Sequence, residues 1–390
     1  MNPRRRVLAA LCAGLAVRTG EPRAQAASAS SAPSAPAASS APPAPAGASF
    51  YPPIVRGTPL AFPRDHGAHP AWRTEWWYLT GWLRRVDGAR RGEPLGMQIT
   101  FFRSRTRHDA ANPSRFAPTQ LLLAHAALAP PEHARLLHAQ RAARAGFGLA
   151  QASGADTDVS VGRWALARGA DDHYRARIED AQLSMALEFV PPTPPVAQGE
   201  AGFSRKGPGE HQASMYYSRP QLRTSGSVSI QGHETRVEGT AWLDHEWSSE
   251  ILDRSADGWD WVGLNFDDGS ALMAFRIRRR DGGVLWSHAR WIGAGGRPVS
   301  GSAAADPPPR FDEVRSWTSP RTGARYPVAM TITLEARTLV LEPLFDDQEL
   351  DARGSAGTVY WEGAVRVIEA RREIGRGYLE LTGYAGTLRF

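Results

Sequence analysis

Short alternating runs of apolar and polar residues dominate the chain. Residues 97–102, 331–334 and 365–367 are examples, and they are rich in β-branched and aromatic side chains. Turn residues separate such runs, while stretches with a helical period are scarce. An alternating run places its apolar side chains on one face of a β-strand. Many short strands separated by turns predict an all-β fold, either a sandwich or a barrel.

Three passages recur in the same order, which indicates an internal duplication. The matched passages are residues 76–83 with 259–266, 164–191 with 317–343, and 237–242 with 379–384. The second copy opens with Gly258-Trp259, and a strand that opens with Gly-x-Trp is typical of lipocalin-like proteins. A closed barrel of about eight strands leaves no unpaired edge and has room for one small ligand. We therefore predict two tandem, lipocalin-like, antiparallel β-barrels.

Composition divides the chain into four segments. Residues 1–26 combine an arginine cluster, a short apolar run and an A-x-A cleavage pattern, so they predict an export signal and a periplasmic or secreted protein. Residues 27–49 are Ala, Ser, Pro and Gly without charge, which predicts a disordered linker. We expect an N-terminal barrel over residues 50–250 and a C-terminal barrel over residues 251–390. The insertion at 104–162 is expected to form loops and a short helix.

Several classes of function do not fit this composition. The one cysteine, Cys12, lies in the predicted leader, which excludes disulfides and thiolate chemistry in the exported chain. The formal charge is +6, but the leader holds five arginines and one glutamate of it, so we expect no nucleic-acid partner. No later run reaches the roughly 20 apolar residues of a membrane helix. We also find no P-loop or dinucleotide fingerprint, so no cofactor is expected.

The densest group of reactive side chains lies in residues 242–249. On a strand, Asp244 and Glu246 face one way, whereas His245 and Trp247 face the other. A histidine beside a tryptophan on an inward face could donate a proton against an aromatic wall. The competing interpretation is a capped strand end with a satisfied core histidine.

Metal and serine chemistry fit these residues less well. Position 249 is Ser, where the H-E-x-x-H motif needs a second histidine. A three-ligand set of His66, His69 and His245 is geometrically conceivable, but it matches no motif. Neither Ser248 nor Ser249 stands in a G-x-S-x-G elbow. We therefore expect no metal site.

Two aromatic clusters with one acid each predict the walls of a ligand pocket. The clusters are Glu75, Trp76, Trp77 and Tyr78 in the first repeat and Trp259, Asp260 and Trp261 in the second. We expect a raised pKa for Glu75, because burial disfavours the charged form of an acid. Plugs that close the barrel ends are the other interpretation of these aromatic residues. Glu362 also stands among aromatic residues of the second repeat.

These motifs resemble the carotenoid 1,2-hydratase and AttH-like family over nearly all of residues 50–390. The segments that carry the resemblance are 69–81, 98–103, 216–218, 242–249, 258–261, 360–363 and 377–384. Members are described as secreted hydrolases, lipocalin-like proteins or hydratases, which implies a tandem pair of lipocalin barrels. In the hydratases a His-x-Trp pair is associated with activity, and the matching residues here are His245 and Trp247. Residues 270–276 lack the tyrosine and aspartate of the family's proton donor, so Asp244, Glu246 or Asp260 would substitute.

Two functions remain open from the sequence. One is an exported enzyme, a carotenoid 1,2-hydratase-like lyase or a secreted hydrolase, that acts on a hydrophobic isoprenoid or lipid-like molecule by cofactor-free acid catalysis. The other is a non-catalytic carrier or chaperone for an apolar ligand that works with a membrane transporter. A polysaccharide-binding module is a third option, suggested by the tryptophans. The enzyme needs an acid that meets a cavity, whereas the carrier needs only the cavity.

Overall fold

A computed structural model describes residues 50–108, 111–298 and 308–386 of the chain. These residues belong to one compact unit, and the only helices among them are the 3-10 helices Arg64–His66, Pro131–His133 and Ala294–Gly296. None of these short helices could span a bilayer. The predicted leader at 1–26 and the predicted linker at 27–49 lie outside the described residues.

Thirteen antiparallel strands form the first sheet of the described chain. They are β1 (Thr74–Arg85), β2 (Pro94–Arg105), β3 (Gln120–Ala129), β4 (Leu137–Arg144), β5 (Ala150–Ala152), β6 (Asp158–Val161), β7 (Trp164–Arg168), β8 (Tyr174–Glu179), β9 (Leu183–Val190), β10 (Val196–Ala197), β11 (Phe203–Arg205), β12 (Ala213–Ile230) and β13 (His233–Glu250). Their order is β4-β3-β2-β1-β13-β12-β9-β8-β7-β6-β5, with β10 and β11 paired to β12. Strand β4 contacts β6 and β9, so the sheet curls back on itself as a barrel.

Ten antiparallel strands form the second sheet of the described chain. They are β14 (Ala256–Phe266), β15 (Ala271–Arg279), β16 (Val284–Gly293), β17 (Arg297–Pro298), β18 (Arg310–Thr318), β19 (Arg325–Leu334), β20 (Arg337–Pro343), β21 (Glu349–Ala352), β22 (Thr358–Glu369) and β23 (Arg372–Leu381). Their order is β17-β16-β15-β14-β23-β22-β20-β19-β18, with β21 paired to β22. Arg276 of β15 donates a hydrogen bond to the carbonyl oxygen of Phe311 on the end strand β18, so the curled sheet brings β18 back to β15.

The predicted fold class is confirmed, since both sheets are antiparallel and curl into lipocalin-like barrels. The expectation of loops and a short helix for the insertion at 104–162 misses the strands that make up nearly half of it. Strands β3 to β6 occupy much of it, and the only helix described there is the 3-10 helix Pro131–His133. The small alanines of β3 alternate with larger side chains, and Ala124 and Ala126 fill the barrel core. Alanine-rich composition had obscured this period of two.

The two barrels pack face to face along β1, β12 and β13 of the first and β14, β22 and β23 of the second. Contacts join β1 with β23, β13 with β14 and β12 with β14. We call the packed surface the interbarrel face. Its polar and aromatic side chains include Trp76, Tyr78 and Trp82 of β1, Tyr216 of β12, Trp242, Asp244 and Glu246 of β13, Trp259 and Trp261 of β14, Glu362 of β22, and Tyr378 and Glu380 of β23.

Gly96 of β2 permits a close approach of the two barrels. A Cβ atom added there would lie 2.7 Å from the Tyr378 hydroxyl oxygen and 2.8 Å from the Ala364 Cβ. Any larger residue would therefore push β22 and β23 away. The second barrel can pack against the first at this point because position 96 has no side chain.

Candidate functional site

The structure distributes the sequence-predicted site residues over three places. Strand alternation is the reason, because neighbouring residues of β1, β13 and β14 point to opposite sides of their sheet. The first place, inside the first barrel, holds Glu75, Trp77, His245 and Trp247. The second, the interbarrel face, holds Trp76, Tyr78, Asp244, Glu246, Trp259 and Trp261. The third, inside the second barrel, holds Asp260.

Glu75 is the centre of a buried polar network inside the first barrel. Its Oε1 accepts hydrogen bonds from His69 Nδ1 at 2.8 Å and from His245 Nε2 at 2.9 Å. Its Oε2 accepts from Arg103 Nε at 2.7 Å. Strand register brings these groups together, since Glu75 stands opposite Arg103 on β2 and opposite Trp247 on β13.

The expected raised pKa of Glu75 is wrong. Burial alone would raise this pKa, but the hydrogen bonds from His245 and His69 and the charge of Arg103 outweigh it and hold the pKa well below its usual range. Glu75 is therefore a carboxylate. The sequence pattern showed the aromatic neighbours of Glu75 on β1 but not the three donors from other segments.

The pKa values of the two histidines on Glu75 are shifted in opposite directions. Burial lowers the pKa of His69, but hydrogen bonds to Asp65 and Glu75 raise it by more, so the net shift is upward. Burial lowers the pKa of His245, and its hydrogen bond to Glu75 reverses only part of that shift. The His69 ring stacks on Trp247 at 3.5 Å between ring centroids, and the His245 ring stacks on Trp77 at 4.7 Å.

A hydrogen-bonded path connects His245 with a cavity at the barrel mouth. His245 Nδ1 lies 3.1 Å from the Tyr217 hydroxyl, which lies 3.2 Å from His66 Nδ1. His66 borders a cavity of about 330 Å³ that Arg168 and Arg219 also line. Both ring nitrogens of His245 are thus occupied by protein groups, so the ring has no free position for a ligand.

His69, Glu75 and His245 are also of the types that bind metal ions. One ligand atom from each lies within 4.8 Å of the others, while His66 is outside this group among the described residues. Their spacings of 2.8 and 2.9 Å are those of hydrogen bonds. A zinc ion would need about 2.0–2.1 Å from each ring nitrogen and would have to replace both ring protons. Since Arg103 is already paired to Glu75, the three side chains are better arranged for hydrogen bonds than for binding a metal ion.

Asp244 projects from β13 onto the interbarrel face. Its Oδ2 accepts from the Tyr216 hydroxyl at 2.6 Å, and its Oδ1 accepts from the Ser218 hydroxyl at 2.5 Å and from Trp242 Nε1 at 2.7 Å. Burial raises the pKa of Asp244 to about 7, against the opposing effect of these three hydrogen bonds. Asp244 therefore exchanges its proton near neutral pH.

Glu246 is the ion-paired acid of the same face. Lys206 Nζ lies 2.8 Å from its Oε1, and the Ser214 hydroxyl donates to the same oxygen. The ammonium group of Lys206 also lies 4.2 Å from the centre of the Phe275 ring. Glu246 therefore contributes one half of a buried ion pair to the interbarrel face.

Glu362 and Glu380 form a carboxyl pair on the second barrel's side of the interbarrel face. They stand directly opposite each other on β22 and β23. The Tyr78 hydroxyl donates to Glu362 Oε1, and Trp259 Nε1 donates to Glu380 Oε1 at 3.0 Å. Glu362 Oε2 is buried and has no hydrogen-bond partner in the described part of the protein.

Burial favours the protonated form of both carboxyl groups of the pair. Burial and the neighbouring Glu380 raise the pKa of Glu362 well above its usual range. Burial and the charges of Asp244 and Glu246 raise the pKa of Glu380 to about 8, against the hydrogen bond from Trp259. Glu362 is fully buried, whereas Glu380 is partly buried.

Sequence reasoning missed this pair as a site. Glu362 was noted among aromatic residues, and Glu380 only as part of the repeat at 379–384. The available signal was their position on two strands of one repeat, each flanked by apolar residues. The register that sets them opposite each other depends on the turn at Ala370 and Arg371, whose left-handed backbone the sequence alone does not reveal.

Asp260 is separated from the other predicted acids. Its Oδ2 accepts from Arg276 Nε at 2.6 Å, and its Oδ1 accepts from Arg278 Nε at 3.2 Å and from the Tyr384 hydroxyl at 3.0 Å. Each oxygen is paired with an arginine inside the second barrel. The structure therefore does not bring Asp260 together with His245, and gives it a counter-ion role.

Comparisons with known proteins agree with the fold. A family model described as AttH-like matches residues 53–384, and no curated protein matches the sequence. A crystal structure of an AttH candidate from Nitrosomonas europaea is 48% identical and has a TM-score of 0.78, covering 85% of this chain and 99% of its own.

Two more distant structures share the fold alone. Kievitone hydratase from Nectria haematococca is 17% identical with a TM-score of 0.61, covering 80% of this chain and 90% of its own. CghA with Sch210972 is 12% identical with a TM-score of 0.50, covering 80% of this chain and 89% of its own.

Proposed function

The chain belongs to the AttH-like family, and from this premise we propose that it is a cofactor-free acid catalyst that adds water to a carbon–carbon double bond. The substrate is a hydrophobic, isoprenoid or lipid-like small molecule that reaches the interbarrel face. The proposal includes export from the cytoplasm, which the leader pattern of residues 1–26 supports.

The carboxyl pair of Glu362 and Glu380 carries this proposal. Two acids that face each other across neighbouring strands cannot both ionise readily, so the pair keeps a proton at neutral pH. Glu362 Oε2 lacks a protein partner in the described chain, so a proton on it has no protein acceptor. A purely structural pair would be expected to satisfy that oxygen, because unpaired buried polar atoms are destabilising.

The reaction follows from these groups. The protonated carboxyl group donates its proton to one carbon of the double bond, and the other carbon becomes a cation. The carboxylate left behind and the aromatic rings of Tyr78, Trp259 and Trp261 stabilise that cation. Water then attacks the cation and loses a proton to the carboxylate. The acid is restored, and the net change is the addition of one water molecule.

Asp244 supplies a second titrating acid from the first barrel. Its carboxyl group and that of Glu246 influence the pKa of Glu380, so all of them lie within electrostatic reach. Asp244 can therefore donate a proton to the carboxyl pair, or accept one from it, during each catalytic cycle. The likeness to kievitone hydratase supports only the fold, so the proposed reaction rests on the carboxyl groups of this chain.

Heavy-water turnover tests the proposal. We expect the protein, incubated with acyclic isoprenoids in deuterium oxide, to form an alcohol with deuterium on the carbon beside the hydroxyl-bearing carbon. Glu362→Gln and Glu380→Gln should each lower the rate by at least about hundredfold, since each removes the proton donor but keeps the side-chain shape. Mass spectrometry measures the product.

The matched control is Glu313→Gln, which changes an exposed strand glutamate paired with Arg325 far from the face. It should leave the rate unchanged. Tight binding of the isoprenoids without any alcohol would instead support a non-catalytic carrier, working with a transporter, and would contradict the proposal.

A further inference from the structure

A cleft of about 490 Å³ opens at one end of the interbarrel face, next to Trp82. Its walls combine apolar side chains with three arginines and one acid, Glu373. The main lining residues are Trp82, Leu83, Leu344, Arg84, Arg366 and Arg376. The Trp82 ring is fixed as a wall, because its Nε1 donates to the Gly377 carbonyl oxygen at 2.9 Å.

Two of these arginines stand opposite each other on neighbouring strands, Arg366 on β22 and Arg376 on β23. Like charges in this position repel and destabilise a sheet. Arg376 pairs with Glu373 at 2.7 Å and lies over the Trp82 ring. Arg366 is exposed, and its side chain forms no ion pair or hydrogen bond with another described residue.

Other acids near the cleft already form ion pairs with arginines. Arg84 is paired with Glu238 across β1 and β13. Glu342 stands opposite Arg366 on β20, but its carboxylate pairs with Arg315 instead. The cleft thus keeps an excess positive charge that the protein does not neutralise.

The arginine pair and the carboxyl pair lie on the same strands and the same side of the sheet. Arg366 follows Glu362 by four residues, and Arg376 precedes Glu380 by four residues. Even spacing puts all of them on one face, and four residues of strand span about 13 Å. Ala364 and Tyr378 lie between the two pairs on that face.

We propose that the cleft binds the anionic end of the substrate, a carboxylate or a phosphate carried by an isoprenoid or lipid-like chain. This inference rests on the proposed function, and it narrows the substrate to an amphiphile with its double bond about 13 Å from its anionic group. Guanidinium groups suit both anions because they donate two parallel hydrogen bonds. The apolar chain would pack along Trp82, Leu83 and Leu344, and its way to the carboxyl pair crosses Ala364 and Tyr378, which must part from Gly96 for it to pass.

Three probes that differ only in their head group test the inference, namely farnesoic acid, farnesyl phosphate and farnesol. Calorimetric titration should show both anionic probes binding at least about tenfold more tightly than farnesol. The tighter of the two identifies the carboxylate or the phosphate as the preferred anion. Equal affinity for farnesoic acid, farnesyl phosphate and farnesol would overturn the inference.

Variants locate the binding to the arginine pair. Arg366→Gln and Arg376→Gln should each weaken binding of the anionic probes about fivefold and leave farnesol binding unchanged. The exposed strand arginine in Arg223→Gln, which lies outside the cleft, is the matched control and should change neither. An equal loss for farnesol and the anionic probes would contradict a role for charge.

Turnover separates this inference from the proposed function. Glu362→Gln and Glu380→Gln should abolish deuterium incorporation yet keep the affinity for farnesoic acid within about twofold. If the arginine-dependent preference is present but no probe is hydrated, the proposed function fails and the cleft inference stands. If farnesol is hydrated as fast as the anionic probes and the arginine variants change nothing, the inference fails and the proposed function stands.

Discussion

At the scale of single residues, Asp244 makes the stability of the protein depend on pH. Burial raises its pKa from 3.8 to about 7, so between these values the folded protein keeps a proton that the unfolded chain releases. The contribution of the Asp244 proton to the free energy of unfolding is therefore complete below the unfolded pKa of 3.8, and it is lost as the pH rises to about 7. The shift corresponds to roughly 4 kcal/mol.

Asp244→Asn should remove that part of the dependence. We expect the free energy of unfolding in urea to fall less between about pH 4 and about pH 8 than it does in the unchanged protein. Asp312→Asn, on the exposed side of β18, serves as the control and should keep the full fall. The same pH dependence in all proteins would show that Asp244 does not hold its proton in the folded state.

His245 is expected to act through structure rather than by donating a proton to the substrate. His245→Ala leaves the Glu75 carboxylate without one of its donors and opens a cavity beside Trp77, so it should lower the free energy of unfolding by about 3 kcal/mol or more. His245→Gln keeps a donor and most of the volume, and it should lose less. Chemical denaturation measures both. A His245→Ala protein that is as stable as the original but inactive would assign His245 to the chemistry.

At the scale of strands, alternation is what the sequence could reveal and register is what it could not. The alternation along β13 correctly predicted that Asp244 and Glu246 face one side of the sheet and that His245 and Trp247 face the other. It could not show that the side of β13 carrying Asp244 is covered by a second barrel, because burial of both faces leaves the same local pattern. Nor could it place His69, which reaches Glu75 from a loop. The turns between strands set the register and so determine which residues stand opposite each other, as Glu362 and Glu380 illustrate.

At the scale of the whole molecule, the duplication creates the site that neither barrel has alone. The first barrel supplies Tyr78 and Asp244, and the second supplies Glu362 and Glu380. Each barrel interior is occupied by its own core, with ion pairs around Glu75 and Asp260. We therefore place the proposed chemistry at the surface where the barrels meet. The raised pKa values of its acids require that bulk water stay out of this surface, because full hydration would return those values toward normal.

Gly96→Ala tests this dependence on close packing. The added methyl group would meet the Tyr378 hydroxyl and Ala364, so the second barrel must shift and the free energy of unfolding should fall by about 1–3 kcal/mol. Water entering the loosened face should lower the pKa of Glu380 from about 8, and turnover should then decline at a lower pH than in the unchanged protein. Gly154→Ala, where the nearest atom lies at 3.7 Å, is the control for a glycine replaced without a clash. A stability loss with an unmoved pH profile would mean that the carboxyl pair keeps its proton for reasons other than the seal between the barrels.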